Sequence, residues 1–242
     1  MSETDRRTRS FYDEEASRYD EIRYASRGGQ RVDQFHHRVL TELSDLKQRR
    51  NDSVLEIGCG TGRLLSFFAP QVRQVAGIDA SDGMLGVAER RLAELDLANV
   101  TIATGDALNL AFEDQSFDLV YSILVINLIP DYGDVFKEVR RVLRSDGTFL
   151  FNVPNMHSVY YPAGQIVNRR GKAFGSNASG HRYSHWFSLS EIDSALAGAG
   201  LTRTSALGQP PWTRLFDDAA PLPDSRLGRF LAKSLYISAK PN

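Results

Sequence analysis

Gly58, Gly60 and Gly62 follow directly on the apolar run Val54-Leu55-Glu56-Ile57 and stand just before Arg63-Leu64-Leu65. Such a run dictates a short buried strand, a sharp turn and a helix start, one after the other. Glycine permits left-handed backbone and lets a ligand lie against the main chain. In the dinucleotide-binding fingerprint the spacing after the strand is Gly-x-Gly-x-x-Gly. Here the sixth place is Arg63, and the third glycine comes one residue early. That spacing favours a nucleoside ligand without a pyrophosphate over a dinucleotide. The competing reading is a tight strand-helix turn that holds nothing.

The rest of the chain supports a turn set in an α/β sheet. Residues 5–46 are amphipathic, with Phe11, Tyr12, Ala16 and Tyr19 at helical spacing. Gly28-Gly29 reads as an interruption, with a second helix over 30–46. Strands are predicted at 53–57, 74–78, 100–103, 117–123 and 147–153. Helices are predicted between them at 61–69, 81–95 and 131–143, with Ser81 as an N-cap. This alternation implies a parallel sheet covered on both faces. Residues 154–187 break it with a long stretch rich in Gly, Asn, Ser, Tyr, His and Arg. Tyr160, Tyr161, Phe174, Tyr183, Trp186 and Phe187 argue for an ordered insertion there. A helix over 188–199 opens on Ser188-x-x-Glu191. Strands at 201–207 and 233–239 close the sheet, with a Pro-rich loop over 209–228 between them.

Bulk properties narrow the function classes. The net charge is −1, from 29 basic and 30 acidic side chains, so no basic excess points to nucleic acid. Cys59 is the only cysteine, which excludes an intramolecular disulfide and a cysteine-based zinc cage. Residues 1–9 are polar and unlike a signal peptide. No apolar run is long enough to span a bilayer. The expectation is a cytoplasmic protein without a membrane partner and without a metal centre.

Two acids companion the glycine turn. Asp79 ends the next strand, about 20 residues on, where a carboxylate can accept from ribose hydroxyls. On its own it could equally cap a helix. Asp106, in Gly105-Asp106-Ala107, can accept from an adenine amine while Ala107 packs on the ring; its plain reading is a turn aspartate. The fourth strand ends at the switch-point crevice where open α/β sheets bind ligands.

With these motifs in place, the chain resembles a class I, Rossmann-like S-adenosylmethionine-dependent methyltransferase, of the small-molecule branch. The resemblance rests on 54–62, 77–81, 105–107, 117–131 and 141–147, in the right order and spacing, and covers roughly residues 52 to 153. It implies a doubly wound, mostly parallel seven-stranded sheet. It also implies a single domain over 1–242, made of a helical lid (1–50), a cofactor core (51–153), an acceptor-side insertion (154–187) and a C-terminal completion of the sheet (188–242). It implies that Glu56, Gly58 and Gly60 line the methionine moiety, that Asp79 holds the ribose and Asp106 with Ala107 the adenine, that Ser122 and Ile123 lie near the methyl donor, and that Cys59, Ala80 and Met84 also belong to the cofactor site. Tyr12 to Asp20 resembles an N-terminal lid, with Tyr19 over the cofactor; Tyr12 and Tyr19 can also be read as helix-packing aromatics. Cys59, between two glycines, reads as a small residue in a tight turn.

One departure matters. Relatives often carry His-His or Glu-His where this chain has Asn127-Leu128. Asn127 can orient a substrate but cannot take a proton at neutral pH. Base candidates therefore move to the insertion, which holds His157, His181 and His185. The segment 180–188 resembles the "His … Phe-Ser/Thr" stretch that shapes an acceptor pocket in relatives, so His181 and His185 are the candidates. Their plain reading is loop packing. Arg169-Arg170-Gly171-Lys172 could attract an anion or be a solvated loop. Arg140 and Arg141 read as surface positions.

The leading expectation is methyl transfer from S-adenosylmethionine to an O, N or C atom of a small molecule, leaving S-adenosylhomocysteine. The alternatives are an RNA-modifying methyltransferase, a non-catalytic S-adenosylmethionine-binding protein, and an NAD-dependent oxidoreductase. DNA is not an expected partner. Amino-methylating DNA enzymes carry Asn/Asp-Pro-Pro-aromatic where this chain has Tyr121-Ser122-Ile123-Leu124, and no Pro-Cys nucleophile is present.

Overall fold

The computed structural model describes residues 3–44, 53–162 and 184–242. Its centre is a seven-stranded sheet in the order β3-β2-β1-β4-β5-β7-β6. The strands are β1 (Ser53–Ile57), β2 (Gln74–Asp79), β3 (Val100–Thr104), β4 (Phe117–Ser122), β5 (Leu143–Pro154), β6 (Leu201–Gln209) and β7 (Ser234–Pro241). The first five run parallel, and β7 pairs antiparallel with both β5 and β6. Strand order reverses between β1 and β4, which opens a crevice beyond their carboxyl ends.

Burial on both faces explains why β1 is a continuous apolar run. Successive side chains point to opposite sides. Leu55, Ile57, Val120, Phe149 and Phe151 pack with Phe136 and Val139 on one face. Val54, Leu119, Tyr121 and Leu150 pack with Phe35, Val39, Leu65 and Phe68 on the other. The second face is covered by α3 (Arg27–Leu43) and α4 (Arg63–Phe68), the first by α6 (Tyr132–Val142).

The N-terminal segment forms α1 (Glu3–Glu15), α2 (Tyr19–Tyr24) and α3. The predicted interruption at Gly28-Gly29 lies three residues too late. The break falls at Ala25-Ser26, where the Ser26 hydroxyl caps α3 by accepting from Gly29 N at 3.1 Å. Both glycines belong to the first turn of α3 because the chain passes close there. A Cβ on Gly29 would sit 2.2 Å from the Arg23 carbonyl oxygen. Phe35, His36, Val39 and Leu40 form the buried stripe of α3. Burial pushes the His36 pKa down to about 3, with His37 adding to the effect, so the ring is neutral in the core.

The helix α5 (Asp82–Glu94) is capped by Ser81, whose hydroxyl accepts from Met84 N at 3.1 Å. α7 (Leu189–Gly198) is capped by Ser188, which accepts from Glu191 N at 3.2 Å. The region 209–228 is more structured than a loop. It holds a 3-10 turn, Pro211–Arg214, and leads into α8 (Arg226–Leu231). Its Asp217 and Asp218 grip α3 through Arg31 and Arg38. Arg141 is likewise not a plain surface residue. Its guanidinium donates to the Leu110 and Phe112 carbonyls and pairs with Glu138 and Asp114, tying α6 to the segment after β3. Among the described residues no helix is long and apolar enough to cross a membrane.

Candidate active site

The glycine turn is built as its spacing requires. Gly58, Gly60 and Gly62 have φ of +74°, +53° and +73°. Gly58 N and Cys59 N both donate to the Ile78 carbonyl, at 2.8 and 2.9 Å, which clamps the turn to β2. The three glycines meet different neighbours. A Cβ on Gly58 would lie 2.3 Å from Val125 Cγ2, and one on Gly62 would lie 3.0 Å from Ala88 Cβ. A Cβ on Gly60 would meet nothing within 4 Å. Gly60 faces open space.

That space is a cavity of about 450 Å³ beyond the carboxyl ends of β1 to β4. Gly58, Gly60, Asp79, Ala80, Met84, Asp106, Ala107 and Tyr19 all line it. Ile78, Leu108, Ile123, Val125, Leu128 and Ile129 supply its apolar walls, and Thr8, Arg9 and Tyr12 close it from α1.

Asp79 organises the floor. Its Oδ2 accepts from Gly60 N at 2.8 Å and its Oδ1 from Ser81 N at 2.9 Å. Burial nevertheless raises its pKa above the usual carboxylate value, against those hydrogen bonds. Each carboxylate oxygen keeps a lone pair for a ligand hydroxyl. Asp106 is exposed at the cavity wall, and its Oδ1 also accepts from Leu108 N at 2.9 Å, closing a local turn. Asp106 thus lines the cavity while closing a local turn.

Three expected cofactor residues are absent from the lining. Glu56 shares the β1 face with Val54 and is buried beneath α4. It accepts from the Tyr121 hydroxyl at 2.9 Å. Ser122 is fully buried and donates to the Ile57 carbonyl at 3.0 Å, bracing β4 against β1. Cys59 is buried, and burial pushes its thiol pKa well up, as befits a packing residue.

Burial also holds the Glu56 carboxyl well above the usual carboxylate range. The Tyr121 hydrogen bond opposes the shift and the charge on Asp79 adds to it. In the unfolded chain this group titrates near 4.3. Between that value and its raised folded pKa, the native state binds the extra proton, so stability falls as pH rises. Glu56→Gln removes the proton while keeping the size. Urea unfolding at pH 5 and pH 8 should show the variant losing less stability than the parent over that interval. Parallel losses would mean that Glu56 is ionised in the fold.

Side chains from α1 and α2 fasten the N-terminal segment to the core. Asp13 Oδ1 accepts from the Ser81 hydroxyl at 2.6 Å and from Gly83 N at 3.0 Å, at the start of α5. Asp20 accepts from the Thr61 hydroxyl at 2.9 Å and pairs with Arg91. Tyr12 and Tyr19 meet edge-on at 6.1 Å, and burial pushes the Tyr12 hydroxyl up to about 12. Arg63, noted in the sequence only for displacing a glycine, pairs with Asp33 and lies 4.2 Å over the Tyr24 ring.

The described acceptor-side candidates, Asn127 and His185, do not line the cavity. Asn127 Nδ2 donates to the Ser184 hydroxyl at 3.1 Å, and its carbonyl accepts from His185 N at 2.9 Å. His185 Nε2 lies 2.6 Å from Glu191 Oε1, with the ring stacked on Tyr132. Burial raises the Glu191 pKa, but hydrogen bonds from Tyr132 and His185 outweigh this, and the net shift is downward. His181 and the 169–172 basic run lie outside the described residues.

Sequence reading missed Leu124. This cavity-lining residue has φ of +65°, a left-handed conformation that costs a non-glycine residue about 1–2 kcal/mol. Its N–H donates to Asn152 Oδ1 at 2.6 Å, and Asn152 is itself buried in β5. Strain held by a long-range side chain leaves no local sequence signal.

Comparison with known proteins agrees with this geometry. Residues 55–151 match the methyltransferase domain family. Over that segment the chain is similar to methyltransferase domains. Over 108 residues it is 37% identical to demethylmenaquinone methyltransferase of Staphylococcus aureus, an alignment covering 43% of this chain and 44% of that protein. The chain thus matches less than half the length of those curated relatives. Among solved structures, an S-adenosylmethionine-dependent methyltransferase of Thermotoga maritima superposes with a TM-score of 0.68 at 18% identity, covering 97% of this chain and 100% of that one. A methyltransferase-fold protein of Haloferax volcanii, solved with the Trm112 methyltransferase activator, gives 0.67 at 20% identity over 95% of this chain and 97% of its own. At those identities the structures speak for the fold alone, which this chain shares over nearly its whole length.

Proposed function

We propose that the chain is an S-adenosylmethionine-dependent methyltransferase acting on an O, N or C atom of a small molecule. The observation that carries this reading is the cavity at the switch point. It joins an open Gly60 backbone, the doubly hydrogen-bonded Asp79 carboxylate and apolar walls. A dinucleotide would need room for a pyrophosphate against a helix N-terminus. Here α4 starts on Gly62, packed against Ala88. Asp79 takes the ribose hydroxyls, Asp106 and Ala107 the adenine, and Gly58, Gly60 and Tyr19 enclose the methionine side. Glu56 acts from below, by fixing Tyr121 and the strand that carries the turn.

S-adenosylmethionine, when bound, supplies a sulfonium-activated methyl group. The chain's own contribution is alignment and exclusion of water. The lid aromatics Tyr12 and Tyr19 and the walls at Ile123, Leu128 and Ile129 serve the exclusion. The relatives named for demethylmenaquinone support a small-molecule acceptor. His185, held by Glu191, is the described residue best placed to take a proton from such an acceptor. His185→Ala should leave S-adenosylhomocysteine binding intact and lower turnover by about a hundredfold. Normal turnover would remove it from the mechanism. The proposal itself is tested by incubating the protein with S-adenosylmethionine and acceptor pools, and following S-adenosylhomocysteine release by mass spectrometry. Release that depends on an acceptor supports transfer. Tight binding without release from any pool would favour a non-catalytic binding protein.

A further inference from the structure

We infer that Arg9, reaching in from α1, is a cofactor-binding residue whose guanidinium plane covers the outer face of the adenine ring, opposite Ala107. This rests on the S-adenosylmethionine reading and gives the N-terminal segment a share in recognising the base.

Helical spacing comes first. Thr8, Arg9 and Tyr12 of α1 line the cavity. Tyr12 stands three residues from Arg9 and four from Thr8, so the three share one face of the helix. The contacts of α1 show which strand each turn faces. Asp13 meets Ser81 and Gly83, just after β2. One turn earlier, Arg9 pairs with Asp82. Asp82 Oδ1 accepts from the Thr104 hydroxyl at 2.6 Å, and Thr104 ends β3. Gly105, Asp106 and Ala107 follow directly and line the same cavity. The contacts thus lead from Arg9, through Asp82, to the turn assigned to the base.

The two walls differ in kind. Ala107 and Leu108 pack against the sheet core, so they form a fixed apolar wall on the inner side. Arg9 stands on the outer side, on a helix laid over the cavity. Its guanidinium is fastened by two carboxylates, Asp82 and, at 3.9 Å, Asp13. Held in this way, the group offers a flat face to a flat ligand. Arginine planes stack on nucleobases through dispersion and through attraction of the cation to the ring. A purine slotted between Ala107 and Arg9 keeps its edge free, and Asp106 at that edge accepts from the amine. Arg9 lies outside the 55–151 segment that matches the methyltransferase domain family, so the motifs of that segment carry no sign of it.

The test measures the affinities of S-adenosylhomocysteine and of adenosine by calorimetric titration, with the full-length parent and two variants whose folding is checked by thermal unfolding. Arg9→Met keeps the apolar stem and removes the plane. It should weaken both ligands by the same factor, about threefold to tenfold, because the lost contact is to the base they share. Asp82→Asn keeps the guanidinium and removes the charge that fastens it to α5. It should weaken both ligands by a smaller factor than Arg9→Met. Parent-like affinity in Arg9→Met, or a loss confined to S-adenosylhomocysteine, would overturn the inference. So would a loss in Asp82→Asn as large as in Arg9→Met, which would make Arg9 only a fastener of α1. If adenosine binds the parent and S-adenosylhomocysteine does not, the methyltransferase reading falls, and the adenosine comparison still decides the role of Arg9. A parent that binds neither overturns both.

Discussion

Asp79→Ala should weaken S-adenosylhomocysteine binding by about 1–3 kcal/mol, roughly 5- to 150-fold, in a calorimetric titration. Two losses combine. The ribose hydroxyls lose their acceptor, and Gly60 N and Ser81 N lose theirs. The second loss loosens both the glycine turn and the cap of α5, so the variant should also melt earlier than the parent. Asp79→Asn separates the effects. It retains one acceptor oxygen for the backbone and should recover part of the stability while binding the nucleoside less well than the parent. Parent-like affinity in Asp79→Ala would place the ribose elsewhere in the cavity.

Gly58→Ala should be the most destabilising small change in the site. A Cβ there meets Val125 Cγ2 at 2.3 Å, and the φ of +74° is itself unfavourable for alanine. Left-handed strain costs about 1–2 kcal/mol and overpacking about 1–3 kcal/mol. Together they lower Tm by roughly 5–15 °C for a chain of this size. Val125 is too short to swing away, so the strain must be taken up by the backbone after β4. The double variant Gly58→Ala with Val125→Ala should relieve the clash but not the φ cost. Gly60→Ala provides the contrast. It meets no protein atom, so it should lose only the smaller φ cost in stability, yet lose nucleoside affinity, because its methyl enters the cavity. Equal melting temperatures for Gly58→Ala and the parent would contradict the packing described for Val125.

The residues behind these effects stand in motifs that are local in sequence, which is why they were legible there, although the contact of Gly58 with Val125 was not. The turn at Gly58 to Gly62, the ends of β1, β2 and β4, and the Ser81 and Ser188 caps each depend on a few consecutive residues. The α/β alternation followed from the same local patterns. What was not legible depends on distant contacts. Asp13 and Asp20 fasten the N-terminal segment only because α1 and α2 fold back onto α5 and the Thr61 turn. Arg141 becomes a tie only because Leu110, Phe112 and Asp114 come to lie beside α6. Glu56 was expected at the ligand because it stands in the motif, but strand alternation turns it into the core, where Tyr121 awaits it. Ser122 was displaced by the same alternation. The start of α3 was misread because glycine usually breaks a helix, whereas Gly28 and Gly29 serve close approach to Arg214 and Arg23.

The central claim is that the cavity beside Asp79 holds a single nucleoside and not a dinucleotide. Thermal unfolding of the parent protein with saturating S-adenosylhomocysteine or saturating NADH tests it in one comparison. A ligand at about a hundredfold its Kd stabilises the fold by about 2.7 kcal/mol, a Tm rise of several degrees. The account predicts that rise with S-adenosylhomocysteine and none with NADH. A rise with NADH and none with S-adenosylhomocysteine would contradict it.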